Sequence, residues 1–227
     1  MFKSFCRLAM ASLLLLRGSC LSQDKGGVDQ TVAVPEVRKI LSSAQLSGSL
    51  EYWGVCDVSK PRPDFPKPRP VSGHEGSARD VLREMFADDT KMRVTQETDG
   101  KVRMVETDLP RDLLEVKIHH LSFLSNDHGP GMALMAILHS QEVMHFIAAH
   151  NIVPKEGWGL PSDAIFVHKP SVPGELNDVT VAQALDYVEQ TFPGFWTYQN
   201  CLDPEGRRAV SFGFYENARA VSGTALR

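Results

Sequence analysis

The sequence predicts an α+β fold in which two related helix–β-hairpin halves pack on a mixed or antiparallel sheet. Three observations carry that expectation. Apolar residues recur at helical spacing in several separate stretches, and short segments alternating apolar and polar run between them. Acidic-glycine turns join those short segments in pairs, at Thr98-Asp99-Gly100 and at Asp203-Pro204-Glu205-Gly206. Finally, a stretch starting at Ser77 matches one starting at Thr180, an offset of 103 residues.

The chain opens with MFKSFCRLAMASLLLLRGSCLSQ. Lys3 and Arg7 precede a short apolar run, Leu8 to Leu16, and small residues follow at Gly18, Ser19, Cys20 and Ser22. This order is that of a cleavable secretory signal over residues 1–22, cut near Cys20 to Ser22. The run is too short to anchor in a bilayer, which needs about 20 apolar residues. Gly18 and Ser19 also suit a lipoprotein signal with Cys20 lipidated, although Arg17 fits that recognition box poorly. The expected location is therefore periplasmic or secreted, and the membrane is met only through the signal or through Cys20. Of the four cysteines, Cys6 and Cys20 belong to or border the signal. Cys56 and Cys201 remain, and two thiols in an oxidising compartment are expected to pair.

A helix is expected from Pro35, with Val37, Ile40, Leu41 and Ala44 on one face and Gly48 as its stop. Leu50 to Cys56 follows as a strand rich in Tyr and Trp. Lys60 to Pro70, KPRPDFPKPRP, excludes helix and central strand and reads as polyproline II, either a stiff connector or a ligand for a proline-recognition module. Ala78 to Asp88 is a helix, and Met92 to Glu97 and Val102 to Thr107 are a hairpin. Leu113 to Phe123 alternates as a strand, and Asn126 to Gly131 is a loop. Met132 to Ala149 reads as one long helix, apolar nearly all round and ended by Asn151 and Pro154. A short strand at 164–168, a loop from Pro170 to Asn177, and a helix from Thr180 to Thr191 capped by Asp178 or Thr180 come next. A second hairpin, Phe195 to Gln199 and Ala209 to Tyr215, precedes a frayed tail at 217–227. The expected halves are 23–125 and 126–216.

Within the repeat, Val81 and Leu82 align with Ala184 and Leu185, Met85 with Val188, and Met92 with Phe195. Each stretch is helix, strand, turn, strand, and a unit that small must pack against its neighbour to bury its apolar face. The second stretch, DVTVAQALDYVEQTFPGFWTYQN, resembles the short N-terminal domain of secretins and TonB-dependent receptors over 178–215, through Val179, Thr180, Ala184, Leu185, Thr191, Gly194 and Trp196. The first stretch matches more weakly, through Val81, Leu82 and its hairpin. That resemblance implies a periplasmic interaction module. No secretin pore region or outer-membrane barrel follows it, and the chain as a whole resembles exported bacterial proteins.

The formal charge is −4, and loss of the signal would remove three basic residues and no acid, so the exported chain is more acidic still. An acidic chain without a basic block argues against nucleic acid as the partner. No Gly-x-Ser-x-Gly elbow, phosphate loop or His-Glu-x-x-His is present, so no catalytic residue is assigned. Histidines cluster in the middle. Glu142 and His145 have the Glu-x-x-His spacing of carboxylate–histidine metal sites, and His139 stands three residues before Glu142. With His119 or His120 from the neighbouring strand they could hold zinc or iron for a metal-dependent enzyme. The plainer reading is surface histidines. Trp196, Tyr198 and Tyr215 lie in an aromatic cluster, either buried on both faces of the hairpin or forming an interaction surface. The function expected is non-catalytic, without a cofactor: a protein that binds an envelope protein or another envelope component.

Overall fold

The computed structural model describes residues 30–54, 56, 76–123, 129–155, 172 and 174–217. The expected signal, the proline-rich segment, the strand at 164–168 and the tail lie outside the described residues. The fold is α+β, as the sequence predicts. The first helix, α1, is Gln30–Ala44, and it is followed by β1 (Gly48–Trp53), α2 (Ala78–Met85), β2 (Met92–Gln96) and β3 (Val102–Glu106). Then come β4 (Lys117–Ser122), α3 (Pro130–Leu138), α4 (Gln141–Ala149) and β5 (Val153–Pro154). The described chain closes with β6 (Glu175–Thr180), α5 (Val181–Thr191), β7 (Gly194–Leu202) and β8 (Arg208–Glu216).

A mixed six-stranded sheet has the order β2-β3-β1-β7-β8-β5. β2 and β3 are antiparallel, β3 and β1 parallel, β1 and β7 parallel, β7 and β8 antiparallel, and β8 and β5 parallel. The connection β1-α2-β2-β3 gives the order β2-β3-β1. The path β5-β6-α5-β7-β8, whose β6 belongs to the other sheet, gives the order β7-β8-β5, with every strand direction reversed. Turning one unit half a revolution about an axis across the strands reverses the strands and exchanges the sheet faces. The helices accordingly lie on opposite faces. Val81, Leu82 and Met85 of α2 pack with Phe195, whereas Ala184, Leu185 and Val188 of α5 pack with Trp196. Adjacent residues of a strand point to opposite faces, so Phe195 and Trp196 mark the two sides.

One face is covered by α1 and α2 around Leu50, Val102 and Met104. The other is covered by α3, α4, α5 and the small β4–β6 sheet, around Phe212, Phe214, Ile118 and Leu185. Both central strands are therefore buried on two sides, and Trp196 and Tyr198 are 1% and 0% exposed. They form core rather than an interaction surface. Tyr215 is half-buried and stacks on Phe195 with ring centroids 5.2 Å apart.

Several expected boundaries move. α1 starts five residues before Pro35, which sits inside the helix, and the hydrogen bond its missing N–H would make is absent. Its end is set by Gln45 at φ 53°, with Leu46 N–H donating to Leu41 O at 3.0 Å, a Schellman closure. Gly48 is instead the first residue of β1, where a side chain would collide with the Val102 carbonyl of β3. α2 ends at Met85 rather than Asp88. The strand expected from Leu113 starts at Lys117, because a turn through Arg111–Glu115 buries Leu113 and Leu114 together. Pro170 to Asn177 is not all loop: Glu175–Thr180 pairs antiparallel with β4. Its polar sequence hides the strand, since backbone pairing rather than side-chain burial makes it. The long helix is two helices bent by 58°. Ser140 is buried, and its hydroxyl donates to Ile137 O at 2.8 Å, taking a carbonyl that a continuing helix would use. Among the described residues no single helix is long and apolar enough to cross a membrane.

Candidate functional site

Two regions gather the polar and reactive side chains. The first is a charged layer between α5 and the first unit. Arg103 on β3 points across the sheet to α5 and grips Asp186 with both guanidinium ends, at 2.9 and 2.6 Å. It also binds Glu97 at 3.1 Å, and its guanidinium lies 5.6 Å from the Trp196 ring centroid. The Trp196 indole N–H donates to Asp186 at 2.8 Å. Burial alone would lower the Arg103 pKa, but the bonds to Asp186 and Glu97 raise it, so the cation is held. Glu51 on β1 is buried, and Arg111 donates to it at 2.7 and 3.3 Å. Burial raises the Glu51 pKa despite that arginine.

Glu189, three residues beyond Asp186, is 2% exposed, and neither carboxyl oxygen has a well-formed hydrogen bond. Burial pushes its pKa up to about 8, with Lys101 pulling it down and Asp186 pushing it up; the nearby Ser47 hydroxyl helps only slightly. The carboxyl is thus protonated near neutral pH. A further knot ties the second hairpin to the connector before β4. Arg208 donates to Asp112 at 2.8 Å, to Asn200 at 2.6 Å and to the Tyr198 hydroxyl at 2.7 Å. Such perturbed buried groups are a common mark of function, but here all except Glu189 join one element to another.

The second region is the outer face of α3, α4 and the β4–β6 sheet. Lys117, His119, His120, Asn177 and Asp178 line the small sheet. His119 Nδ1 lies 3.0 Å from Asp178 Oδ1, and His120 Nδ1 lies 3.0 Å from Asn177 Oδ1. Contacts with His119 and Lys117 lower the Asp178 pKa. Glu142 accepts the His119 backbone N–H at 3.0 Å, which lowers its pKa. The carboxylate is thereby drawn toward the strand backbone. His139 stands at the end of α3, across the bend from Glu142 and His145 on α4. The bend removes the single helix face on which the three would have shared a metal. Among the described residues, no group of three or more His, Cys, Asp or Glu side chains is placed to hold a metal ion.

The same two helices carry Met132, Met135 and Met144, which are 51%, 40% and 42% exposed. With Leu202 they are the large apolar side chains left in solvent among the described residues. The sequence signal for this patch is the apolar pattern nearly all round 132–149, which fits a place central to the core or to an interface.

Cys56 and Cys201 form a disulfide, with Cα atoms 5.4 Å apart at a sequence separation of 145. Register explains the pairing. β1 and β7 run side by side with Trp53 opposite Asn200, and Gly54 N–H donates to Asn200 O at 2.6 Å, so the chain leaves β1 beside Cys201 and Cys56, three residues past Trp53, is within reach of it.

Comparison with known proteins identifies no relative. No family model matches the chain, and neither a curated protein nor a solved structure matches it. The reading of function rests on this chain's own chemistry.

Proposed function

We propose that the protein is an exported, non-catalytic binding module whose docking face is the outer side of α3 and α4. The observation that carries this is the exposure of Met132, Met135 and Met144 on adjoining helices, in a molecule whose other methionines within the described residues are core. Flexible thioether side chains make an adaptable apolar contact surface. The partner is an envelope protein or another envelope component. The disulfide supports an oxidising compartment for this work. We further propose that the two βαββ units arose as an internal repeat, which their shared connectivity and sheet order support. The likeness of 178–215 to periplasmic docking domains points the same way.

A photo-crosslinking residue at position 132 or 135, in cells making the full chain, tests the docking face. A discrete adduct is expected from these positions and not from Glu205, which is exposed on the far hairpin turn. Equal adducts from all three, or none from α3, would refute it. Fractionation with N-terminal sequencing of the exported form tests the compartment, and an intact Met1 on periplasmic protein would refute cleavage.

A further inference from the structure

Three of the described histidines are held through Nδ1: His119 by Asp178, His120 by Asn177, and His150 by the Phe146 carbonyl at 2.9 Å. The ring of His139 has no such tie among the described residues, and it is exposed. Its amide donates to Met135 O at 2.9 Å, so His139 continues the last turn of α3 and stands directly one turn beyond Met135. Side chains so spaced start about 5–6 Å apart at Cβ. A thioether and an imidazole reach inward from that separation to meet on one atom. Met132 precedes Met135 by three residues on the same face.

We propose that Met135 and His139, with Met132 as third ligand, bind a soft monovalent d10 cation, Cu(I) or its analogue Ag(I). This rests on reading α3 as a binding face and names a ligand for it. The donor set decides the ion. Two thioether sulfurs and an imidazole nitrogen are neutral and soft, which suits Cu(I) and not magnesium or calcium. Zinc takes thiolate, imidazole and carboxylate, and the nearest carboxylate in sequence, Glu142, is engaged by the His119 amide. The exposure of the two methionines keeps the sulfurs open to an arriving ion. Cys56 and Cys201 are bridged and do not compete.

The test is titration of the full chain with Ag(I), the disulfide intact and Cys6 and Cys20 alkylated beforehand. Native mass spectrometry counts bound ions, and methyl-labelled methionine NMR locates them. One ion is expected, moving the Met132 and Met135 methyl signals and leaving those of buried Met85 and Met104 in place. Met135→Leu and His139→Ala should each weaken binding by at least about tenfold, the scale on which even outer-shell changes act. Met144→Leu should leave it unchanged. All three sites are exposed, so folding is retained. No methyl shift, unchanged affinity in both variants, or preference for Zn(II) over Ag(I) would overturn the proposal. Met135→Leu keeps the apolar surface. A chain that crosslinks a partner at α3 but takes up no ion therefore loses this inference alone, and one that binds the ion without crosslinking loses the docking reading.

Discussion

The two βαββ units share a connectivity but not an interior. At the matching positions α2 and its C-cap carry Val81, Leu82, Met85 and Phe86, all buried among Leu50, Val94, Val102 and Met104. α5 carries Ala184, Leu185, Val188 and, opposite Phe86, the buried Glu189. Three residues earlier in each helix, Arg83 reaches the Val94 carbonyl of its own unit, whereas Asp186 is gripped by Arg103 of the other unit. Local pattern suffices to build each unit. The charged groups of the second unit serve to register it against the first. Apolar packing is tolerant of sliding, and a bidentate arginine–carboxylate pair is not.

The largest effect expected concerns the bond joining the units directly. Reducing Cys56–Cys201, or replacing Cys201 by Ser, should cost about 4–5 kcal/mol in the loop-entropy picture for so long a closed segment. Urea unfolding with and without reductant measures this. Identical midpoints would show that the β1–β7 pairing already fixes the units without the bridge.

Glu189 should give the next largest change, through pH. Its folded-state pKa, about 8, lies above the unfolded glutamate value, so the folded state holds the proton more tightly. Its contribution is complete below about pH 4.3 and is lost as pH rises through about 8. Glu51, raised in the same direction, should add to that decline. Glu189→Met, which makes α5 resemble α2, should flatten the curve and stabilise the protein by about 3 kcal/mol at pH 9, after allowance for relaxation around the charge. Thermal unfolding from pH 5 to pH 9 reads both slopes. If the substitution leaves the slope unaltered, Glu189 is ionised in the fold and the contrast between the helices is weaker than drawn.

Asp186→Ala should cost about 2 kcal/mol, since it leaves a mostly buried guanidinium with Glu97 alone and the Trp196 N–H without its acceptor. Arg83→Ala, at the matching place on α2, should cost well under about 1 kcal/mol because that side chain is exposed. Similar costs would mean that the charges do not distinguish the units.

The smallest effects lie at the helix starts. The Thr180 hydroxyl oxygen accepts from Gln183 N–H, and the Thr180 amide donates to Gln183 Oε1, a complete capping box. Ser77 caps α2 by one such bond, from Asp80 N–H. Thr180→Ala should cost about 1 kcal/mol and Ser77→Ala about half of that, measured by chemical denaturation of each variant.

What the sequence alone determined is the set of features made by near neighbours. The Thr180 cap, the two acidic-glycine hairpins, the stop at Asn151 and the amphipathic faces of α2 and α5 follow from spacing and turn chemistry over a few residues. The pairing of Cys56 with Cys201 followed from their being the two cysteines left beyond the expected signal. Only the tertiary structure decided the rest. It placed β1 between β3 and β7, buried Trp196 and Tyr198 by covering both sheet faces, and made a strand of Glu175–Thr180 by giving its backbone a partner in β4. The break at His139–Ser140 arises from one buried hydroxyl that no apolar periodicity records. The burial of Glu189 and the exposure of Met132 and Met135 run against residue type, because which side of a helix meets the sheet is set by the partner and not by the helix. Short-range rules act through the chain's own hydrogen bonds and rotamers. Burial and charge pairing depend on residues far along the chain, 60 positions apart for Arg111 and Glu51, 83 for Arg103 and Asp186 and 96 for Arg208 and Asp112, and those meet only when the sheet closes.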